Sequence, residues 1–295
     1  MSAEVGAVVV RWGGGDEVER CLRSLLEHGG ASLARVVLVD SGSGDGGAER
    51  LSGRFPAVEV LALEANRSFA WAANQGAIRL AECPLLLLLN PDAELCPGCL
   101  DRLVGFLAGR QRAAAAVPLL AHPDGTSQHP WQLRRLPSAW RLASGRAGAS
   151  QVAGPPPEGP LQVEQPAAAA WLVRRAVWDA LGGLDSAFEP AWWEDVDFCA
   201  RLASRLGDPG FPAGEGFWLV PEARVVHQGG SSVARLGDAA LLAHFHHNQL
   251  RYARRHHPQA AAMIALGVAL SLFTRAVLRP SRRAAYLAAL KALRG

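Results

Sequence analysis

Five consecutive leucines, Leu85 to Leu89, run straight into Asn90-Pro91-Asp92. The run is too short for a membrane span and has no polar face, so it reads as a strand buried on both sides. Such a strand belongs to a sheet sandwiched between helices. The preceding residues supply the rest. Ala7 to Trp12 is a short apolar run closed by Gly13-Gly14-Gly15. A helix is expected next, because Val18, Cys21, Leu22, Leu25 and Leu26 follow the i, i+3, i+4, i+7, i+8 stripe. Asp16, with Glu19 three residues on, suits a capping-box start, and Gly29 a stop. Arg35 to Asp40 is a second strand, followed by the Gly/Ser loop Ser41 to Gly47. A helix from Ala48, a strand over Val58 to Ala62 and a helix over Phe69 to Ala81 complete a β-α-β-α-β-α-β order. That order predicts the α/β class, with a mostly parallel sheet flanked by helices. Ligands of such sheets gather at the carboxyl ends of the strands. Here those ends are Arg11/Trp12, Asp40 and Asn90-Pro91-Asp92.

Composition narrows the class. The 295 residues are 49% hydrophobic and 19% charged, which excludes a disordered chain. The net charge of +3 comes without a long basic block, so no nucleic-acid partner is expected. Cys96-Pro-Gly-Cys99 is a lone C-x-x-C among five cysteines, with no second pair at zinc-site spacing, so neither metal nor redox use is expected of it. Met1 to Val10 has no basic start before its apolar run, which predicts no signal peptide and a cytoplasmic chain. The nearest approach to a membrane span, Ala260 to Phe273, is 14 residues long, under the roughly 18 required. Ser144 to Pro166, rich in Gly and Pro, predicts a long loop. Helices are expected over Arg174 to Leu181 and from Glu194 to Leu206. Short strands are expected over Phe217 to Val220 and Ala223 to Val226, and a helical segment from Asp238 onward.

Four clusters can carry chemistry. Asp92, just past the leucine strand, can bind a hard cation that in turn holds phosphate; the alternative is a plain Asn-Pro-Asp turn. Trp192-Trp193-Glu194-Asp195-Val196-Asp197 sets three carboxylates at a helix start behind two indoles. Acids there complement the helix dipole, but crowded acids also raise one another's pKa, as a general base requires, and tryptophans suit a sugar wall. His227-Gln-Gly-Gly-Ser-Ser232 places a candidate metal ligand beside glycines that admit a phosphate. Asp40 can accept hydrogen bonds from a base or ribose, or simply form a turn. His244, His246, His247, His256 and His257 are expected on an exposed helical surface rather than at a metal.

Read in order, the segments Val9-Val-Arg-Trp12, Val39-Asp-Ser-Gly-Ser-Gly-Asp-Gly46, Asn66-Arg-Ser-Phe-Ala-Trp-Ala-Ala-Asn-Gln-Gly76, Leu87-Leu-Leu-Asn-Pro-Asp92, Trp193-Glu-Asp-Val-Asp-Phe-Cys199 and Ala223-Arg-Val-Val-His-Gln-Gly-Gly-Ser231 resemble family 2 of the inverting glycosyltransferases, in its rhamnosyltransferase-like branch. The resemblance implies a GT-A fold over 1–237, with a donor half (1–120) and an acceptor half (121–237), and a helical C-terminal extension (238–295). It implies a nucleotide-diphospho-sugar donor, a glycan or lipid-linked acceptor, and Mg or Mn as cofactor. By position Arg11, Asp40, Asn74, Asn90 and Asp92 fall on the donor side, with Asp92 and His227 at the metal. Asp195 falls at the catalytic base, with Glu194 as its alternative, and Trp192 and Trp193 at the acceptor. Arg11 stands where that family has Asn; Ser68, Ala72 and Ala73 stand where it has Gly, Gly and Asn. These departures are expected to line the donor side.

Two rival readings remain. Gly13-Gly14-Gly15 after a strand, with Asp40 further on, suits an NAD(P)-dependent oxidoreductase, except that Val18 stands where the third glycine belongs. The other is an inactive GT-A-like scaffold. The extension, with an apolar stretch flanked by arginines, suits either a helical cap or an interfacial helix on an anionic membrane, which would make the protein peripheral on the inner face.

Overall fold

The computed structural model describes residues 4–145, 148–229 and 237–293. Its first third alternates β1 (Val5–Arg11), α1 (Asp16–His28), β2 (Leu33–Ser41), α2 (Gly47–Arg54), β3 (Val58–Leu63), α3 (Phe69–Ile78) and β4 (Leu85–Leu89). There follow β5 (Ala93–Leu95), α4 (Cys99–Gly109), β6 (Ala113–Ala121), α5 (His129–Gln132), β7 (Leu133–Arg134) and α6 (Ala139–Ala143). Then come β8 (Leu161–Val163), β9 (Gln165–Pro166), β10 (Ala170–Arg174), α7 (Arg175–Leu181), α8 (Glu194–Arg205) and β11 (Glu215–His227). The chain closes with α9 (Gly237–His256), α10 (Ala261–Leu278) and α11 (Arg283–Ala292).

The main sheet runs β3-β2-β1-β4-β10-β6-β11-β5, with β8 also on β11. Strands β1 to β4 are parallel, as the alternation predicts. The leucine strand is covered on both faces. Leu85, Leu87 and Leu89 pack with α1 and α4, while Leu86 and Leu88 pack with α3, α7 and α8. Helix α3 lies so close to β1 and β2 that a side chain at Gly76 would overlap Val8.

Several expectations are corrected. β10 is a strand that the sequence did not announce, antiparallel to both β4 and β6 and lying between them. The two short strands expected over 217–226 are one strand, β11, whose pairing with β6 slips between Val220 and Arg224. Pro221 falls in that slip, where a residue without an N–H costs the ladder least. The long loop carries β8 and β9. Asp16 is the first helical residue, Gly15 is the cap, and no side chain bonds there. Helix α3 stops at Ile78, short of Ala81. The apolar run continues past Arg275 to the end of α10, so Pro258–Leu278 is long and apolar enough to cross a membrane by length and composition alone.

The last three helices join the rest through a third core. Ile264, Val268, Leu272, Tyr252 and Tyr286 pack with Leu142, Phe188 and Trp193. The five histidines of this region are partly drawn inward. His246 bonds Gln249, His256 bonds Asp197, and His257 bonds the Pro137 carbonyl.

Candidate active site

A cleft of about 740 Å³ opens at the carboxyl edge of the sheet. On one side it is lined by Val10, Trp12, Ser41 and Asn66, and along its floor by Asn90 to Asp92 and His227. Trp192 to Val196 form the other side, with Leu241 and Phe245 of α9.

Pro91 turns the chain sharply after β4, and the turn is closed by Ala93 N–H donating to Asn90 O at 3.1 Å. Asp92 is thereby buried beneath the end of β11, where its Oδ2 accepts the Gly229 N–H at 3.1 Å. His227 ends β11 beside it. The Gln128 amide nitrogen donates to the His227 carbonyl at 2.6 Å, so the Gln128 oxygen faces His227 Nδ1 at 2.9 Å and accepts its proton. That fixes Nε2 as the nitrogen facing Asp92 Oδ1 and Asn90 Nδ2, each 3.4 Å away and too far for a strong hydrogen bond. Trp131 stacks on the ring at 5.6 Å. An imidazole nitrogen and a carboxylate oxygen at that separation suit two adjacent ligands of one divalent ion. Among the described residues no group of three or more His, Cys, Asp or Glu is placed to hold a metal, so water and ligand oxygens would complete the set.

Helix α8, whose start also lines the cleft, begins at Glu194. Trp192 and Trp193, just before it, both have left-handed backbones, φ 72° and 78°. Bulky residues rarely hold that conformation, and here the turn is clamped from behind. The Asn248 amide of α9 donates to the carbonyls of Glu189, Ala191 and Trp192 at 3.0–3.2 Å. Trp193 packs its ring on Phe245 and Tyr252, at 5.5 and 5.3 Å, while Trp192 is half-buried. Asp195 Oδ2 accepts from Arg134 at 3.0 Å and Gln165 at 3.1 Å, and Oδ1 accepts the Val196 N–H at 2.8 Å. A carboxylate accepts about four such bonds, so one direction on Oδ1 is left for another donor. Glu194 is buried with no partner for its Oε2. Burial, then the charge of Asp195, pushes its carboxyl up to about 8.

Other residues singled out in the sequence lie off the cleft. Arg11 is fully buried, ion-paired with Asp40 and, at 2.6 Å, with Asp45. Its Nε donates to the Gly13 carbonyl, and Gly13 N–H donates to Ser43 Oγ, so the glycine loop is folded onto its own neighbours. Neither Arg11 nor Asp40 lines the cleft; Val10, Trp12 and Ser41 do. Asn74 bonds both backbone groups of Leu184, at 2.7 and 3.0 Å, and holds a turn rather than lining the cleft. Ser68 caps α3 through Trp71 N–H, and with Ala72 and Ala73 it is buried in the core, not on the donor side as expected. Cys99 is a buried thiol, pushed up to about 12 by burial, and no disulfide joins it to Cys96. Gly230, Ser231 and Ser232 lie outside the described residues. Gln128, Trp131 and Arg134 were missed; they sit in an irregular stretch whose one signal is polar and aromatic residues without a helix or strand period.

Residues 8–157 match the family described as glycosyl transferase family 2. The chain belongs to that family. Along 96% of its length this glycosyltransferase is 30% identical to an N-acetylglucosaminyl-diphospho-decaprenol L-rhamnosyltransferase of Mycobacterium tuberculosis, of which it covers 97%. Solved structures share its fold at lower identity. A GalNAc-T7 structure with UDP, GalNAc and Mn2+ has a TM-score of 0.62 at 16% identity, covering 86% of this chain and 48% of the other, so the chain spans about half of that protein. The mannosyltransferase PcManGT of Pyrobaculum calidifontis, with GDP-Man and Mn2+, has a TM-score of 0.56 at 17% identity, covering 98% and 86%. S. aureus TarS 1–349 has a TM-score of 0.53 at 12% identity, covering 99% and 89%. The glycosyltransferase thus has the GT-A fold, and the oxidoreductase reading falls with the family assignment.

Proposed function

We propose that this glycosyltransferase moves a sugar, rhamnose by likeness to its mycobacterial relative, from a nucleotide-diphospho-sugar to a hydroxyl of a lipid-diphosphate-linked glycan, with inversion. One observation supports the reading: a cation-type pair, Asp92 and His227, and a carboxylate pair, Glu194 and Asp195, line the same cleft. Asp92 and His227 would hold Mg or Mn. Such an ion neutralises charge on a departing diphosphate.

The chain's own residues do the rest. The nucleoside lies against Val10, Trp12 and Ser41, with the Arg11–Asp40 pair behind them as a rigid backing. Asp195, fixed by Arg134 and Gln165, accepts the proton of the acceptor hydroxyl on Oδ1 as the new bond forms. Glu194, protonated at neutral pH, donates a hydrogen bond from its carboxyl to the sugar beside it. Trp192 forms an apolar wall for that sugar.

A thermal-shift titration tests this reading, with UDP, dTDP, GDP and NAD, each with and without Mn. A nucleotide at about 100 times its dissociation constant adds roughly 2.7 kcal/mol of stability. The expected result is a Mn-dependent shift with one nucleoside diphosphate, lost in Asp92→Ala. A shift with NAD alone, or an equal shift in Asp92→Ala, overturns the assignment.

A further inference from the structure

Residues 239–295 carry nine of the 30 Lys and Arg residues and none of the 27 Asp and Glu residues. The first 238 residues therefore hold 21 basic against 27 acidic side chains, so the charge is divided along the chain. The acid-free part is α9 beyond Asp238, with α10 and α11; Asp238 itself is paired with Arg282. Helix α10 is apolar on both faces. Its inner face, with Ile264, Val268, Leu272 and Ala276, is buried in the third core. Its outer face is bare. Leu266, Leu270, Phe273 and Val277 are 57–62% exposed. Their spacing of four, three and four residues makes a straight stripe along one side. Trp140, on the α6 helix that packs against α10, is 73% exposed. Arg275, Arg279 and Arg283 are exposed near one end of the stripe. A helix apolar all round belongs in a core or in lipid, and half of this one is in neither.

Pro258–Leu278 has the length and hydropathy of a span, but its inner face is locked to the protein. At Gly267 the helix touches the Ala143 backbone so closely that any side chain would overlap it. With one side so held, the helix can lie along a surface but not cross it.

We propose that the outer face of α10 docks on an anionic lipid bilayer, with its axis in the membrane plane. The stripe enters the boundary between headgroups and acyl chains, and the arginines meet lipid phosphates. A second copy is a poorer occupant, because two-fold pairing through this face would bring two acid-free, Arg-rich surfaces together. The purpose of docking rests on the lipid-linked acceptor proposed above. Pro137, which lines the cleft, leads directly into α6, and α9 supplies Leu241 and Phe245 to the cleft. Both helices pack on α10, so docking sets the acceptor side of the cleft beside the membrane.

Co-sedimentation of the full chain tests this, using phosphatidylcholine vesicles with and without phosphatidylglycerol at low salt. The wild type is expected to partition onto the anionic vesicles only. Leu270→Glu/Phe273→Glu should abolish the partitioning, and Arg275→Ala/Arg279→Ala should weaken it about 30-fold. Both variants should keep the nucleotide-dependent thermal shift, which separates lost docking from misfolding. Docking is overturned if the wild type ignores anionic vesicles or if the variants bind as it does. It is equally overturned if light scattering finds a wild-type dimer that Leu270→Glu/Phe273→Glu turns into monomers. Vesicle binding with no nucleotide shift in any variant would support docking while removing the transferase reading.

Discussion

Glu194 and Asp195 are neighbours in sequence, but only Asp195 has hydrogen-bond donors on both oxygens; Glu194 Oε2 has none. Two predictions separate them. Asp195→Asn keeps the carboxamide within the same bonding reach but cannot take a proton. Turnover should fall about 10²–10⁴-fold while nucleotide binding stays, as read by kcat and by the thermal shift. Glu194 controls stability through pH. Its folded pKa of about 8 lies above the ordinary 4.5, so between those values the unfolded chain has released a proton that the folded protein retains. Stability therefore falls as pH rises through that window. Glu194→Gln removes this slope. It should match the wild type near pH 4 and exceed it at pH 8.5 by on the order of 5 kcal/mol, measured by urea denaturation at each pH. At this scale the sequence was readable in where polar groups stand at the ends of elements. Asp92 ends the β4 turn, His227 ends β11 and Glu194 opens α8, and all reach the cleft. Arg11 and Asn74 do not line the cleft, because a polar side chain in a motif can equally satisfy its own fold, one neutralising Asp40 and Asp45, the other bonding Leu184.

Among the elements, α9 supports the tryptophan turn. Asn248→Leu removes the two amide donors that three backbone carbonyls share, on a backbone that would otherwise relax from its left-handed conformation. The loss should cost about 1–3 kcal/mol of stability. It should also raise the KM for acceptor several-fold, with the donor-nucleotide affinity unchanged. Equal losses of donor and acceptor affinity would mean that Asn248 serves global stability alone. The alternation through β4 was legible because each strand there carries its own apolar run. β10 was not, since Ala170 to Arg174 becomes a strand only between β4 and β6, and nothing local marks that placement.

For the whole molecule, the extension drawn from the sequence at residue 238 is a dividing line in chain order but not in packing. Asp197 is fully buried and receives Arg201, His256 and Arg255, the last two from α9. Chain 1–237 should therefore be insoluble, or melt well below the full chain, with Trp193 and Phe188 uncovered and Asp197 short of two partners. Expression and calorimetry of that fragment check this, and a soluble fragment with an unchanged melting temperature would refute it.

The position of β10 also bears on how the chain emerges from the ribosome. Until residue 174 is synthesised, the strand that joins β4 to β6 is missing, and the leucine edge of β4 and the alanine edge of β6 lack that partner. An exposed apolar strand edge invites pairing with another chain. A chain whose first strands pair during synthesis would pass through that interval with its central gap unfilled. It is then that a chaperone would matter most, and a slow codon placed between residues 121 and 170 would prolong it.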